Sequence, residues 1–412
     1  MNILVMNAGS SSQKSCLYQC SRDQLPDHPL APLWDAQIDW TKQSDTAELT
    51  VKTAHGATFK TSLEPDSRPD GIADMLKTLW QGSTQVIERP EDIQLVGHRV
   101  VHGGAEYRES TWITPDVKEA IARLIPLAPA HNPANLEGID AVEQILGHDL
   151  PQVAVFDTAF HSRMPQAAIV YPGPYDWLQQ GIRRYGFHGI SHQYCARRAA
   201  QILGQDISSL RIITCHLGNG CSLAAIHNGD SINTTMGFTP LEGLMMGSRS
   251  GSVDPGLLIH LLKQGHYTPE QLDQVLNRES GLKGISGVSN DMRQIDGAIA
   301  QGNERAQLAL DIFVHRLKTH IGAMMASLSG LDVLVFTAGI GEHHPPTRAL
   351  TCEAFEFLGV RLDDEKNERS PVDADIARPE STVRVVVVHT LEDWAIAQEC
   401  WQLARSTRQH EC

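Results

Sequence analysis

The strongest constraint on the fold is a frame of strands and turns that occurs twice along the chain. Ile3, Leu4, Val5 and Met6 make a short apolar run bounded by polar residues, as a buried strand would. The small-residue turn Asn7-Ala8-Gly9-Ser10-Ser11-Ser12 follows, then a returning strand near 14–18 and further strands around 33–40 and 47–54. A helix near 71–81 leads to a strand at 93–96, and helices near 115–125 and 135–146 lead to a strand at 153–156. The second half opens in the same way, with a strand at 211–215, the tight turn His216-Leu217-Gly218-Asn219-Gly220, a returning strand at 222–226 and a third strand near 231–235. Beyond it lie a long helix at about 303–328, a strand at 332–336, a helix near 346–357, a strand at 383–388 and a helix from about 392 to 404. Two α/β domains of like topology account for that order. Similarity between the halves is weak, and hairpins closed by glycine turns are common, so the signal is the placement of the turns.

A length of 412 residues suffices for two packed domains, and 41% hydrophobic with 20% charged residues is the composition of globular protein. Segments 65–70 and 363–382 read as linkers, and the second is long enough to suggest a surface excursion. The formal charge of −15 argues against broad nucleic-acid binding. An anionic substrate must then be held by a few local cations and backbone donors. The N-terminus lacks a basic leader region, and no run approaches the roughly 18 apolar residues of a membrane span. Eight scattered cysteines form no CxxC pair, so a reduced cytoplasm is expected and structural zinc is not.

Successive N–H groups in a glycine turn make an anion-binding nest. The first turn adds the hydroxyls of Ser10, Ser11 and Ser12, and the second adds His216 and Asn219. Either turn alone is also what an ordinary hairpin looks like; paired in a repeated frame they point to a polyphosphate. The first is not a P-loop, because no second glycine precedes its Lys14. Arg99, in Gly97-His98-Arg99-Val100-Val101-His102-Gly103-Gly104, and Arg249, in Gly247-Ser248-Arg249-Ser250-Gly251, sit among small residues where a guanidinium can reach a phosphoryl or carboxylate. The alternative for each is a solvated surface arginine. Asp157 follows an apolar strand, where open α/β sheets bind ligands, although an Asp there can equally cap the next helix. Glu392 also follows an apolar strand and is a second candidate magnesium carboxylate. The pairs His98/His102 and His188/His192 have the spacing of helical zinc ligands, but the neighbouring Gly103, Gly104 and Gly189 argue against regular helices there. His188 reads better as a donor to a charged group.

Taken in order, these stretches resemble the acetokinase family, of the sugar kinase, heat-shock ATPase and actin superfamily. The resemblance rests on the two turns, the Gly97–Gly104 segment, His131-Asn132-Pro133, Phe156-Asp157-Thr158-Ala159-Phe160-His161 and Tyr185-Gly186-Phe187-His188-Gly189. Phe238-Thr239-Pro240-Leu241-Glu242-Gly243 and Gly339-Ile340-Gly341-Glu342 complete it. It implies two duplicated ribonuclease H-like (actin-like ATPase) α/β domains facing a central cleft, the first covering 1–157 joined by a C-terminal helix at 391–412, the second 158–390. It also implies reversible transfer of the ATP γ-phosphate to acetate, with Mg²⁺ (or Mn²⁺), in a homodimer built on the second domain, with the helix near 303–328 as one candidate contact.

By the same resemblance Asn7 and Glu392 would hold the metal. Arg99, Arg249 and His188 would bind the phosphoryl in flight, and Asp157 would orient the reacting groups. Ser10, Ser12, Lys14, His216, Leu217, Gly218, Asn219 and Gly220 would meet phosphates. Asp291, Met292, Arg293, Gly339, Ile340, Gly341 and His343 would form the adenosine pocket, and Val101, Ala130, Phe187 and Pro240 the small acyl pocket. Departures from the family pattern are Ala130 for a usual Leu, His343 for Asn, Ser252 for Asp and Leu391 for Asn. The first leaves propionate or butyrate as an alternative acceptor. A sugar kinase would need an aspartate base and a polar pocket, and a nucleotide-driven binding protein would need a peptide-binding or polymerising extension.

Overall fold

The computed structural model describes residues 1–9, 12–43, 46–65 and 67–410, and the predicted contact of Ser10 falls outside them. The chain divides into two compact units, Met1–Ala159 with Leu391–Cys412, and Phe160–Thr390.

The first unit is built on β1 (Asn2–Ala8), β2 (Ser12–Gln19), β3 (Trp34–Gln43), β4 (Thr46–Thr53), β5 (Thr58–Leu63), β6 (Leu95–Val100), β7 (Thr111–Trp112) and β8 (Gln152–Phe156). Their order in the sheet is β5-β4-β3-β2-β1-β6-β8-β7. Strands β1 to β5 form an antiparallel meander, whereas β6 runs parallel to both β1 and β8. Ile3, Leu4, Val5 and Met6 are buried on both faces, as expected of a central strand flanked by a parallel neighbour. The outlying β4 instead alternates buried and half-buried residues. On one face the helix Arg68–Lys77, capped by Ser67, delivers Ile72, Met75 and Leu76 to a core that includes Trp34. The terminal helix Glu392–His410 lies against β1 and β6, burying Trp394, Ile396 and Cys400. A Cβ on Gly97 would come within 2.4 Å of Cys400 Sγ, so glycine is what lets that helix lie flat on β6.

The second unit repeats the plan with β9 (Arg211–Leu217), β10 (Cys221–His227), β11 (Asp230–Thr234), β12 (Val333–Thr337), β13 (Ala374–Asp375) and β14 (Arg384–Val387), in the order β11-β10-β9-β12-β14-β13. Strands β9 to β11 are antiparallel, β12 is parallel to β9 and β14, and β13 closes the edge antiparallel to β14. Strand for strand this matches β3-β2-β1-β6-β8-β7. The duplicated α/β frame therefore holds at the level of topology. The helix Glu304–Leu328 is capped by Asn303 and buries Leu310, Phe313, Val314, Leu317 and Ile321 along one face.

Two expectations need correction. Residues 363–382 are not a structureless excursion, because they hold the helix Asp364–Arg369 and β13, and they bury Ile376 and Ala377. Gly189 does not prevent a helix: Gly189–Leu203 is helical, with His188 as its N-cap in left-handed conformation (φ 56). A glycine read as a breaker is tolerated at a first helical position, where its N–H has no intrahelical partner to lose. Four helices between Pro255 and Ala300 escaped the sequence reading; they are short, ten residues at most, and bury few of their side chains.

Candidate active site

In the first unit the candidate residues gather where adjacent parallel strands end. Met6 pairs with His98 across β1 and β6, so Asn7 and Arg99 are the next residues on neighbouring strands. Asp157 follows the last residue of β8, and its amide donates to Val100 O (2.9 Å). The Arg99 guanidinium donates to Asp157 Oδ2 from Nε (3.1 Å) and Nη2 (2.5 Å), and from Nη1 to Asn7 Oδ1 (3.3 Å). Asp157 is therefore an ion-pair partner, not a helix cap. Asn7 Nδ2 in turn donates to Asp393 Oδ1 (2.8 Å), beside Glu392 in the first turn of the terminal helix.

The electrostatics of this cluster are unbalanced. Burial opposes the charge on Arg99, but Asp157, Glu392 and Asp393 outweigh it and hold the guanidinium protonated above its usual range. Burial likewise lifts the Asp157 carboxyl despite the pull of Arg99, and lifts that of Asp393 despite the bond from Asn7. Three carboxylates thus act on one guanidinium, while Lys14 and Asp35 add one charge of each sign. Carboxylates outnumber cations in this cluster, and such hard oxygen donors fit a divalent cation of the magnesium type. Among the described residues no three His, Cys, Asp or Glu side chains gather to ligate a metal by themselves.

The segment after β6 is fixed by side chains. Asn135 Oδ1 accepts from Val101 N (3.1 Å), Asn132 Oδ1 from His102 N (3.2 Å) and Thr158 Oγ1 from Gly103 N (3.1 Å). The quoted His131-Asn132-Pro133 stretch opens the helix Asn132–Leu146, which explains why both asparagines are buried there. Val101 is buried and Ala130 exposed. Lys14 is exposed on β2, and Ser12 O accepts the Gly9 amide (2.8 Å).

In the second unit the corresponding strand end is neutral and rich in donors. His216, on β9, pairs with Thr337 of β12 and Ser222 of β10, so it belongs to the strand and not to the turn. The His188 ring stacks on the His216 ring with centroids 4.2 Å apart. Hydroxyls hold both: Ser222 Oγ lies 2.9 Å from His188 Nδ1, and Ser191 Oγ 2.8 Å from His216 Nδ1. Behind them burial keeps His192 neutral, far below the usual imidazole range, and its two nitrogens meet Thr214 and Ser222. Burial takes His98 and His161 down to about 4 in the same way. His98 Nε2 meets Gln152 Oε1 (2.6 Å), so His98 and His192 both spend ring nitrogens on hydrogen bonds within the protein.

Gly220 sits between two of the candidates. A Cβ there would lie 3.4 Å from both Arg249 Nη1 and His188 Cε1. Arg249 is not a solvated arginine: it donates to Pro240 O (3.3 Å), and burial holds its guanidinium below the usual range. Asn219 bridges the two loops, its carbonyl accepting from Gly247 N (3.0 Å) and its side chain from Asn290 Nδ2 (3.0 Å). Asp291 caps the helix Met292–Ala300 and pairs with the exposed Arg293. Gly339, Ile340, Gly341 and His343 belong to the short helix Ala338–His343, and His343 points largely to solvent. Phe187 is fully buried, whereas Pro240 is half-buried.

A profile described as the acetokinase family matches residues 2–398. The chain belongs to the acetokinase family. A protein of Gloeobacter violaceus named acetate kinase is 65% identical over 405 residues, covering 98% of this chain and all of that protein. The crystal structure of Porphyromonas gingivalis acetate kinase superposes with a TM-score of 0.89 at 40% identity, covering 98% of this chain and 99% of the other. A propionate kinase from Francisella tularensis superposes at 0.88 with 38% identity, over 97% and 99% of the two chains.

Several residues of this acetokinase escaped sequence reasoning. Asp393, the neighbour of Glu392, holds Asn7. Glu342, buried in the second unit, accepts from Ala338 N (2.9 Å), Thr390 N (3.0 Å) and His389 Nδ1 (2.6 Å). Thr390 passes the contact on to Ser191 (2.9 Å) and so to His216. Arg184 and Tyr171 both reach the Glu242 carboxylate at 2.5 Å, pinning the loop that carries Pro240. The fully buried Arg348 donates to the carbonyls of Gly341, Glu342 and Asn367. Only position within a quoted motif marks Glu342 and Glu242 in the sequence; Ser191, Arg348 and Thr390 carry no local signal.

Proposed function

We propose that the chain catalyses the reversible transfer of the ATP γ-phosphoryl group to acetate, giving acetyl phosphate and ADP by direct in-line displacement. The observation that carries this reading is near-complete coverage, at 60 to 65% identity, by proteins named acetate kinase. The charge pattern of the two clusters supports it.

In this reading Arg99, steered by Asp157, grips the reacting carboxylate and phosphoryl oxygens from one fixed orientation. Arg249 and His188, beside Gly220, hold the phosphoryl group in flight, where charge spreads over equatorial oxygens. Acetate is already ionised near neutral pH, so no residue has to remove a proton, which agrees with neutral, deeply buried histidines behind His188. The amides of Leu217, Gly218, Asn219 and Gly220, with His216, Ser10, Ser12 and Lys14, meet the phosphate chain. Asp291, Met292, Arg293 and Gly339, Ile340, Gly341 and His343 of the short helix take the adenosine. Asn7 and Glu392 would hold Mg²⁺ (or Mn²⁺), which would supply positive charge to phosphate oxygens.

Propionate or butyrate is the second reading. It is favoured by Ala130, whose exposed side chain leaves room that a Leu would fill, and it matches the name of the Francisella tularensis neighbour. Val101, Phe187 and Pro240 complete the acyl pocket in both readings. The homodimer draws on the second unit, where the helix Pro255–Lys263 leaves Leu257, Ile259 and Leu262 exposed and buries none of its residues. A cytoplasmic enzyme is consistent with the finding that no helix among the described residues is long and apolar enough to cross a membrane.

The test is hydroxylamine trapping of acyl phosphate from MgATP with acetate, propionate, butyrate and glycerol in parallel. Acetate turnover at least equal to propionate supports the first reading. A clear preference for longer acids moves the assignment to the second. Activity with none of the carboxylates overturns both.

A further inference from the structure

The first unit has two adjoining cavities at the opposite ends of its strands from Asn7, Arg99 and Asp157. The larger, about 210 Å³, is walled by Leu95 at the start of β6, Pro151 just before β8, Trp112 on β7, and Thr407 of the terminal helix, with Arg22 beside it. The smaller, about 50 Å³, shares Arg22 and adds Trp401 and Arg405. Both indoles are locked and already satisfied: Trp112 Nε1 donates to Thr407 Oγ1 (3.2 Å) and Trp401 Nε1 to Ser21 O (2.7 Å). They offer only carbon surface. Arg405 lies over the Trp401 ring, 5.2 Å from its centroid.

Charge sets this cavity apart. The chain carries 49 acidic against 34 basic side chains, so most guanidiniums have carboxylates to choose from. Among the described residues, however, no carboxylate lies within ion-pair distance of Arg22 or Arg405. An apolar, aromatic-walled cavity lined by the Arg22 guanidinium, with Arg405 lining the adjoining smaller cavity, suits an anion with a flat apolar body. The volume admits one or two fused rings and excludes a nucleotide.

We propose that this cavity binds a small organic anion, a planar carboxylate or sulfonate whose ring lies against Trp112 and Leu95 and whose head group meets Arg22 and Arg405. The site is separate from the phosphoryl-transfer residues and does not depend on their assignment. It adjoins them mechanically, since Thr407 stands on the helix whose first turn carries Glu392 and Asp393.

The test is calorimetric titration of the full chain with 1-naphthoate, in saturating MgADP and acetate, with 1-naphthylmethanol as the uncharged analogue. The expected result is one site per chain with Kd no weaker than about 1 mM. Binding should fall about tenfold in Arg22→Ala, further in Arg22→Ala/Arg405→Ala, and at least tenfold for the alcohol. Hydrogen exchange should slow around Leu95, Trp112 and Thr407. Ala404 lines both cavities, so Ala404→Trp, which fills them, should abolish binding; if that variant fails to fold, the exposed Arg22→Ala decides alone. Arg22→Ala should leave acyl-phosphate formation unchanged. Absence of binding, or affinity unchanged in both arginine variants, overturns the proposal.

Discussion

The charge imbalance around Arg99 makes a sharp comparison between two substitutions. Asp157→Asn removes two charge-assisted bonds to the guanidinium, yet Glu392 and Asp393 still face it and a buried carboxylate no longer has to be desolvated. A charged hydrogen bond is worth about 1.5–3 kcal/mol, and the relief offsets part of it, so a net loss of about 1–2 kcal/mol is expected. Arg99→Met instead strands three carboxylates without their common cation, and breaking a buried pair in that sense costs about 3–5 kcal/mol. The order is the prediction: Arg99→Met is the more destabilising. Mg²⁺ at a few millimolar (about 5 mM) should narrow the gap, since it supplies the missing positive charge where Arg99 stood.

The assay is favourable because six of the seven tryptophans lie in the first unit, leaving only Trp177 in the second. Urea unfolding followed by intrinsic fluorescence therefore reports the unit that contains the cluster. Both variants should also lose about 10²–10³-fold in turnover, the scale of a lost transition-state donor. Equal destabilisation by the two substitutions, or a Mg²⁺ effect of the same size on both, would refute the charge argument even if both enzymes were inactive.

Three further outcomes follow from the geometry. The bond to Glu342 raises His389 above its ordinary 6.5, while bonds from His389 and the Thr390 amide outweigh burial and lower Glu342 below its ordinary 4.5. The His389 contribution is full below 6.5 and lost as pH climbs through its raised value, and the Glu342 contribution is full above 4.5 and lost as pH falls, so Glu342→Gln should flatten the fall in melting temperature above pH 6.5. Gly220→Ala should cost under about 1 kcal/mol, since its Cβ makes contacts of 3.4 Å, but should depress turnover; Gly237→Ala, whose Cβ would sit 1.7 Å from Glu242 Oε2, should cost about 2–3 kcal/mol in thermal unfolding. Ala130→Leu should raise the acetate-to-propionate ratio of kcat/KM about tenfold, the scale of one methylene in an apolar pocket, and an unchanged ratio removes Ala130 from that pocket.

The central strands were legible because they carry their whole signal locally. Ile3 to Met6 and the run on β9 are continuous apolar segments, and burial on both faces demands nothing else. The Arg99–Asp157 pair was legible for a related reason, since charged side chains at strand ends stand out against small or apolar neighbours. What stayed hidden depends on distant partners. Asp393 matters because it meets Asn7 from 386 residues away, and Thr390 because it meets Ser191 from 199 residues away. β13 is two residues long and has no periodicity to read. Gly189 misled because the cost of glycine depends on its place in a helix, which sequence alone does not reveal.

The duplicated frame also shows how one topology serves two opposite electrostatic tasks. β1, β6 and β8 stand in the same sheet order as β9, β12 and β14, so equivalent strand ends can be compared directly. The first set ends in Asn7, Arg99 and Asp157, with Glu392 and Asp393 added by the terminal helix, and the outcome is surplus negative charge. The second ends in His216 and Thr337, backed by Ser191, Ser222 and a neutral His192, with the Arg249 guanidinium beside Gly220. Carboxylates at a strand end attract a cation; imidazoles, amides and an arginine attract an anion. The sheet fixes only where functional groups can stand. The polarity of each unit is decided by a few side chains at those positions, which is why the topology repeats so closely while the sequences of the halves do not.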